Sequence, residues 1–318
     1  MSKAERKKKG WLHRLIPLVM IAVFCAAIWA LERELSNFSW SRFVDFLSEL
    51  SALQISLAFG MTAVAYAAMT AYDWFALRYL KLEMATWKVA LAAFVGYAFS
   101  MNVGQTLISG GAVRLRLYST WGLGPGDITG IVGFNFFIGM IGQMLISGAL
   151  FVTVGIKVPN ELPIPLSSAT WIGWALLIGV AVFFVLIFQK RESVRIGKWR
   201  LDLPTPAISI AAVLISALDW ALAGAVLFVL FPADSGVGVS QLIAIVMMAH
   251  IVAVLSTVPG GLGVFETVVI LLLPPTIPKA EALAGLIAFR TIFYLIPFLV
   301  AILLFGGQQI VASRKRVH

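Results

Sequence analysis

Asp219, Glu266 and Arg290 stand within or beside runs of sequence that are otherwise apolar, and Arg114 and Arg116 follow the pair Gly110-Gly111 closely. Asp219 is the thirteenth residue of the run 207–231, about 18 Å along a helix, and Arg290 the ninth of the run 282–305, about 12 Å in. A charge near the centre of a helix in hydrocarbon costs about 2.5 to 3.5 kcal/mol, so such residues face protein or water and have a partner. Glu266, which follows Pro259-Gly260-Gly261-Leu262-Gly263, is the natural partner for Arg290, or for Arg114 and Arg116. Guanidinium forks beside open backbone N–H groups hold a phosphate in bidentate fashion, and a phospholipid headgroup carries that anion. Arg114, Arg116 and Arg290 would then neutralise phosphate. Glu266 and Asp219 would balance those arginines, bind a cationic headgroup or carry a proton. Asn102 and Gln105 lie on one helix face leading into Gly110 and complete the candidate headgroup set. The plainer alternatives are an ion pair that only fixes helix packing, and interfacial anchoring for Arg114 and Arg116.

The elements that must position these residues are hydrophobic. Of 318 residues, 60% are hydrophobic and 12% charged, with mean hydropathy +0.96; a soluble domain carries about twice that charge. The chain is therefore an all-α polytopic integral membrane protein with no room for a separate soluble catalytic domain. Apolar segments fall at about 15–31, 51–72, 89–109, 128–155, 170–189, 207–231, 240–258, 262–273 and 282–306. The net charge of +9 is the excess of basic residues expected on cytoplasmic loops, so no nucleic-acid partner is implied. Cys25 is alone, which excludes a disulfide framework and a cysteine metal site. Residues 1–14 and 307–318 form basic tails, and the first apolar segment resembles an uncleaved signal anchor.

Nine segments do not require nine crossings. If 89–109 crossed fully, the basic loop 190–206 would fall outside, against the positive-inside bias; if it dips in and returns, 19 basic residues lie inside and four outside. Val89 to Met101 makes about 20 Å of helix, short of a core of about 30 Å. The segment 262–273, at about 18 Å, is also a half-span. The sequence thus predicts two re-entrant broken-helix hairpins, broken at Gly110 and Gly111 and at Pro259, Gly260, Gly261 and Gly263. They enter from opposite faces in the pattern of an inverted repeat. Both termini are expected in the cytoplasm.

Asp73, at the end of its segment beside Arg78, reads as an interfacial charge ranked below Glu266. His250 reads as a packing residue. Gly130, Gly133, Gly139 and Gly142 read as a close-packing face, and Trp40, Trp87, Tyr118 and Trp171 as interfacial anchors. No phosphate-binding G-x-x-x-x-G-K-[ST] loop occurs, Gly122-x-Gly124-x-Gly126 is a turn-rich linker, and the three histidines are too scattered for a metal site. No enzyme activity, cofactor or metal is expected.

The stretches Tyr97–Gly104, Ser109–Tyr118, Pro259–Glu266 and Phe289–Pro297 together resemble the lysylphosphatidylglycerol synthase transmembrane family, in its stand-alone YbhN-like form. That family includes the flippase domain of the multiple peptide resistance factor, and the resemblance covers nearly the whole chain. It implies one flippase-like transmembrane domain over 1–318 in a bacterial inner membrane. It also implies that Arg114, Arg116, Glu266 and Arg290 correspond to polar residues of the translocation region. The aminoacyl-transferring domain of the family's enzymes has no counterpart in these residues. The expected function is movement of a phosphate-bearing lipid, aminoacylated or not, between leaflets, downhill or coupled to protons. The rivals are a small-solute secondary transporter and a structural partner of a lipid-synthesising enzyme; such an enzyme, or a second copy of the chain, is the expected protein partner.

Overall fold

A computed structural model describes residues 48, 50–103, 106–156, 168–189, 193–196, 199–231, 236–256, 261 and 263–317. The segment 15–31 with Cys25, the tail 1–14, Trp40, Gln105, Pro259 and Gly260 lie outside the described residues.

Three of the long helices start where the sequence supplies a side-chain cap. Ser51 caps α1 (Ala52–Tyr79) reciprocally with Gln54, at 3.2 Å from the Gln54 N–H to the Ser51 hydroxyl and 3.0 Å from the Ser51 N–H to the Gln54 side chain. The pair α2 (Thr86–Val103) and α3 (Thr106–Thr120) follows. Pro125 opens α4 (Pro125–Val154), which ends at Gly155 with φ +66°, the left-handed geometry that favours glycine. Ser168 caps α5 (Ala169–Phe188). A short antiparallel ribbon, β1 (Ser193–Ile196) with β2 (Trp199–Asp202), occupies the basic loop expected between 190 and 206. Thr205 caps α6 (Pro206–Val229). Then come α7 (Val239–Leu255), α8 (Val264–Leu272) and α9 (Lys279–Phe289). From α9 a π-helical turn, Arg290–Leu295, leads without interruption into α10 (Ile296–Val317), so the expected tail at 307–318 continues as helix to Val317.

Among the described residues, five helical stretches are long and apolar enough to cross a membrane: α1, α4, α5, α6, and the continuous run Glu281–Ile310. On α5, Trp171, Trp174, Ile178, Val182, Val185 and Phe188 recur every three or four residues and all are exposed. In water such a stripe would be a liability; it is the face a helix presents to lipid.

The chain is thus an all-α, multi-pass membrane protein. Its helices run long, short, short, long in α1 to α4, and again in α6 to α10, with α5 between. Sequence marks recur at matching places: Asp73-Trp74 and Asp219-Trp220, Gly110-Gly111 and Gly260-Gly261, Phe134-Asn135 and Phe289-Arg290.

The α2 and α3 helices pack antiparallel: Trp87 meets Trp121 at one end, with ring centroids 5.8 Å apart, and Gly96 meets Gly110 further along. The break expected at Gly110 and Gly111 is corrected here. Both residues lie inside α3, and the helices part between Val103 and Thr106. Gly110 is needed instead for close approach, since a Cβ there would fall 2.0 Å from the Ser100 hydroxyl and 2.9 Å from the Gly96 carbonyl oxygen. In the second pair, Gly261 (φ +63°) and Gly263 (φ +77°) adopt left-handed geometry between α7 and α8, as a break requires. Of the expected glycine face on α4, Gly130 and Gly142 abut Leu80 and Ser216, whereas Gly133 and Gly139 face open space.

Gly110→Ala should destabilise the protein in detergent by about 1 to 3 kcal/mol through overpacking. Gly133→Ala, with nothing within 4 Å of its added methyl group, should leave the thermal midpoint unchanged or slightly higher. Unfolding followed by size-exclusion fluorescence reads the difference.

Candidate functional site

Helix α1 carries three polar residues on one stretch, and each meets a different part of the molecule. Asp73 is fully buried and is the centre of the tightest group. The Arg114 guanidinium donates to it from Nε (2.9 Å to Oδ2, 3.2 Å to Oδ1) and from Nη2 (2.8 Å to Oδ1). Tyr118 donates its hydroxyl to Oδ2 at 2.7 Å, and Asn135 of α4 donates its amide to Oδ1 at 2.6 Å. Arg114 and Tyr118 are four residues apart, so one face of α3 presents both. The guanidinium carbon lies 4.3 Å from the centre of the Tyr97 ring. It fits only because residue 96 is glycine, as a Cβ there would be 2.7 Å from Nη1.

Two expectations are thereby corrected. Asp73 is not an interfacial charge beside Arg78, and Tyr118 is not an interfacial anchor; both are sealed inside. Trp87 and Trp171 are exposed, as anchors would be. The physical reason is the same for both corrections: a buried guanidinium needs an anion and further hydrogen bonds to offset its desolvation, and α1 and α3 supply them. Arg114 gives its Nε and Nη2 donors to Asp73 and is almost fully buried.

A second ion pair joins Glu266 and Arg290. Glu266 sits in the first turn of α8, where its other oxygen accepts the Gly263 N–H at 2.8 Å. Arg290 opens the π-helical turn, and Phe265 and Tyr294 stack near its guanidinium at 6.0 and 5.8 Å. This pair is less sealed than the first, with side-chain exposures of 11% and 16% against 2% and 0%. The wide turn leaves carbonyls available: Tyr66 donates to the Phe293 oxygen at 3.3 Å, and Asn102 to the Tyr294 oxygen at 3.2 Å. Asn102 also donates to Ala98, so its amide ties the end of α2 to the π-helical turn.

Asp219 belongs to neither ion pair. Its Oδ2 accepts the Tyr72 hydroxyl at 2.9 Å, its Oδ1 has no hydrogen-bond partner among the described residues, and the residue is 5% exposed. Its expected part in balancing arginines is therefore not seen. Arg116 is half-buried and donates from Nε to Gln309 on α10 at 2.9 Å. His250 packs on Trp220, with ring centroids 4.5 Å apart. Among the described residues no three His, Cys, Asp or Glu side chains come together as a metal site would require.

Sequence reasoning passed over Tyr72, Tyr97 and Asn135, and placed Asp73 and Tyr118 at the interface. The available signal was the polar Asn135 inside a run rich in glycine and phenylalanine, and the Asp-Trp pair repeated at 73 and 219.

Asp73→Asn leaves the Arg114 charge buried and uncompensated, which should destabilise the fold by about 3 to 5 kcal/mol. The double variant Asp73→Asn with Arg114→Gln removes the stranded charge and should recover much of the folded yield. Monodisperse protein recovered after extraction measures both.

Comparison with known proteins agrees with this architecture. An uncharacterised protein of the cyanobacterium Synechocystis is 31% identical over 305 residues, covering 96% of this chain and 95% of the relative. The inner membrane protein YbhN of Escherichia coli is 26% identical over 316 residues, covering 99% and 95%. The phosphatidylglycerol lysyltransferase of Staphylococcus aureus is 24% identical over 299 residues, covering 93% of this chain but 34% of that enzyme. The family model for the lysylphosphatidylglycerol synthase TM region matches residues 17–301, nearly the full length, and the chain belongs to that family.

Proposed function

We propose that this protein moves a phosphate-bearing phospholipid between the leaflets of a bacterial inner membrane, with both termini in the cytoplasm. The observation that carries this reading is the Glu266–Arg290 pair, which is partly open and set where a helix start meets a π-helical turn. Helix starts present unpaired N–H groups, and a guanidinium beside them suits a phosphodiester. Arg290 would exchange its bond to Glu266 for one to the headgroup phosphate, while Glu266 keeps its Gly263 contact or receives a cationic headgroup. Arg116 is a second cation for the anion's path, and Arg114 holds the scaffold. The relationship to YbhN and to part of a phosphatidylglycerol-modifying enzyme points to lipid as the cargo.

In this reading the α2–α3 and α7–α8 pairs are re-entrant hairpins that enter from opposite faces. Their lengths support it, because α3, α7 and α8 have 15, 17 and 9 residues, and a complete crossing takes about 20. The internal satisfaction of Glu266 and Arg290 favours one rival, a structural partner of a lipid-synthesising enzyme.

Arg290→Gln removes a charge-assisted contact of about 1.5 to 3 kcal/mol and should slow leaflet exchange of headgroup-labelled phosphatidylglycerol in proteoliposomes about ten- to a hundredfold. Exchange at the wild-type rate would favour the scaffolding role. Cysteines placed at Gly122 and Gly236 should be labelled from opposite faces of sealed vesicles, and labelling from one face would remove the inverted arrangement.

A further inference from the structure

Asp219 is a carboxyl group sealed among helices, about 20 Å into the 24-residue α6, with one oxygen bonded to Tyr72 and the other bonded to nothing described. Burying an ionised carboxylate without a cation costs many kcal/mol, and each unfilled lone pair adds to that cost. Among the described residues no Lys, Arg or His forms an ion pair with it. Among the described residues its neighbours are neutral. From α1 come Tyr66 and Tyr72, while the neighbouring Asp73 is already committed to Arg114. Tyr97 of α2 is reached through the Tyr72 ring, with centroids 5.8 Å apart, and Tyr294 lies in the π-helical turn. His250 of α7 stands behind Trp220. Helix α5 has no ionisable residue, and those of α4 and α9 (Asp127, Lys279 and Glu281) are confined to their first turns. Glu266, the other carboxyl group considered for proton transfer, has both oxygens occupied, by Gly263 and Arg290.

We infer that Asp219 is a proton-binding site, occupied as the neutral acid in this conformation, through which lipid movement is coupled to the proton gradient; the coupling rests on the transport reading above. The step is the formation and rupture of one O–H bond at Oδ1. The proton is taken from water at one face and returned to water at the other, and Tyr72 keeps its bond to Oδ2. The site is also connected to the sealed ion pair. Tyr72 precedes Asp73 on α1, and its ring abuts Tyr97, which covers the Arg114 guanidinium. A change of charge at Asp219 therefore acts on the same turn of α1 that holds α3 in place.

Two measurements on the full chain test this. Infrared spectra of the purified protein at neutral pH should show a carboxylic-acid C=O band that D219N removes and Y72F shifts. In proteoliposomes containing labelled phosphatidylglycerol, the ratio of exchange with an imposed pH gradient to exchange without one should exceed one for wild type and for D219E, and fall to one for D219N. A missing acid band, or a D219N ratio equal to that of wild type, overturns the inference. An acid band lost in D219N, together with no lipid exchange by the wild type, overturns the transport reading and the coupling built on it, and leaves the protonated acid standing.

Discussion

A guanidinium inside a lipid bilayer has no water to turn to, and the Arg114–Asp73 pair is how this fold meets that constraint. Each partner alone would be an uncompensated charge in a medium that penalises it by several kcal/mol. Together with Tyr118 they bind α1 to α3 and, through Asn135, to α4. The surrounding sequence bends to this need. Residue 96 must be glycine to admit the guanidinium, and residue 110 must be glycine to let α3 lie against α2. Hydrophobic packing supplies little direction within a membrane, where lipid is as apolar as the helices, so a polar lock of this kind carries much of the specificity.

The second ion pair obeys the same electrostatics and differs in access. Glu266 and Arg290 sit at a helix start and a π-helical turn, places where backbone groups are left without their regular partners. Asn102 and Tyr66 bond two of those free carbonyls and so tie the end of α2, and α1, to the turn. A polar centre joined to both helix pairs can respond to movement of either, which the sealed pair cannot do without exposing its charges. This contrast underlies the division of labour proposed here, with Arg114 as scaffold and Arg290 as the group that meets cargo.

Asp219 completes a series along α1. Within about 10 Å of that helix, Tyr66 reaches the π-helical turn, Tyr72 reaches Asp219, and Asp73 reaches Arg114. One helix therefore reaches the π-helical turn, Asp219 and Arg114, and the repeated Asp-Trp pair places an aspartate in both halves of the chain. The halves differ in charge. The first sets Asp73 against Arg114 and Asn135, whereas the second sets Glu266 against Arg290 and leaves Asp219 to a tyrosine.

Composition alone determined that this is a helical membrane protein. The apolar segments 128–155, 170–189, 207–231, 240–258 and 262–273 match helices to within about three residues, because a span of lipid demands a long apolar run, whereas 89–109 runs across the break between α2 and α3 and 15–31 lies outside the described residues. The sequence offered Glu266 as a partner for Arg290 or for Arg114 and Arg116, because all stand in or beside apolar runs, and the structure pairs it with Arg290. What the sequence did not disclose was which charges share a site. Asp73 looked interfacial because it lies near Arg78 and a helix end, and Gly110-Gly111 looked like a turn because glycine permits one. Only tertiary packing decided otherwise: residues 41 positions apart meet in the interior, and a glycine that could have broken a helix instead lets two helices touch.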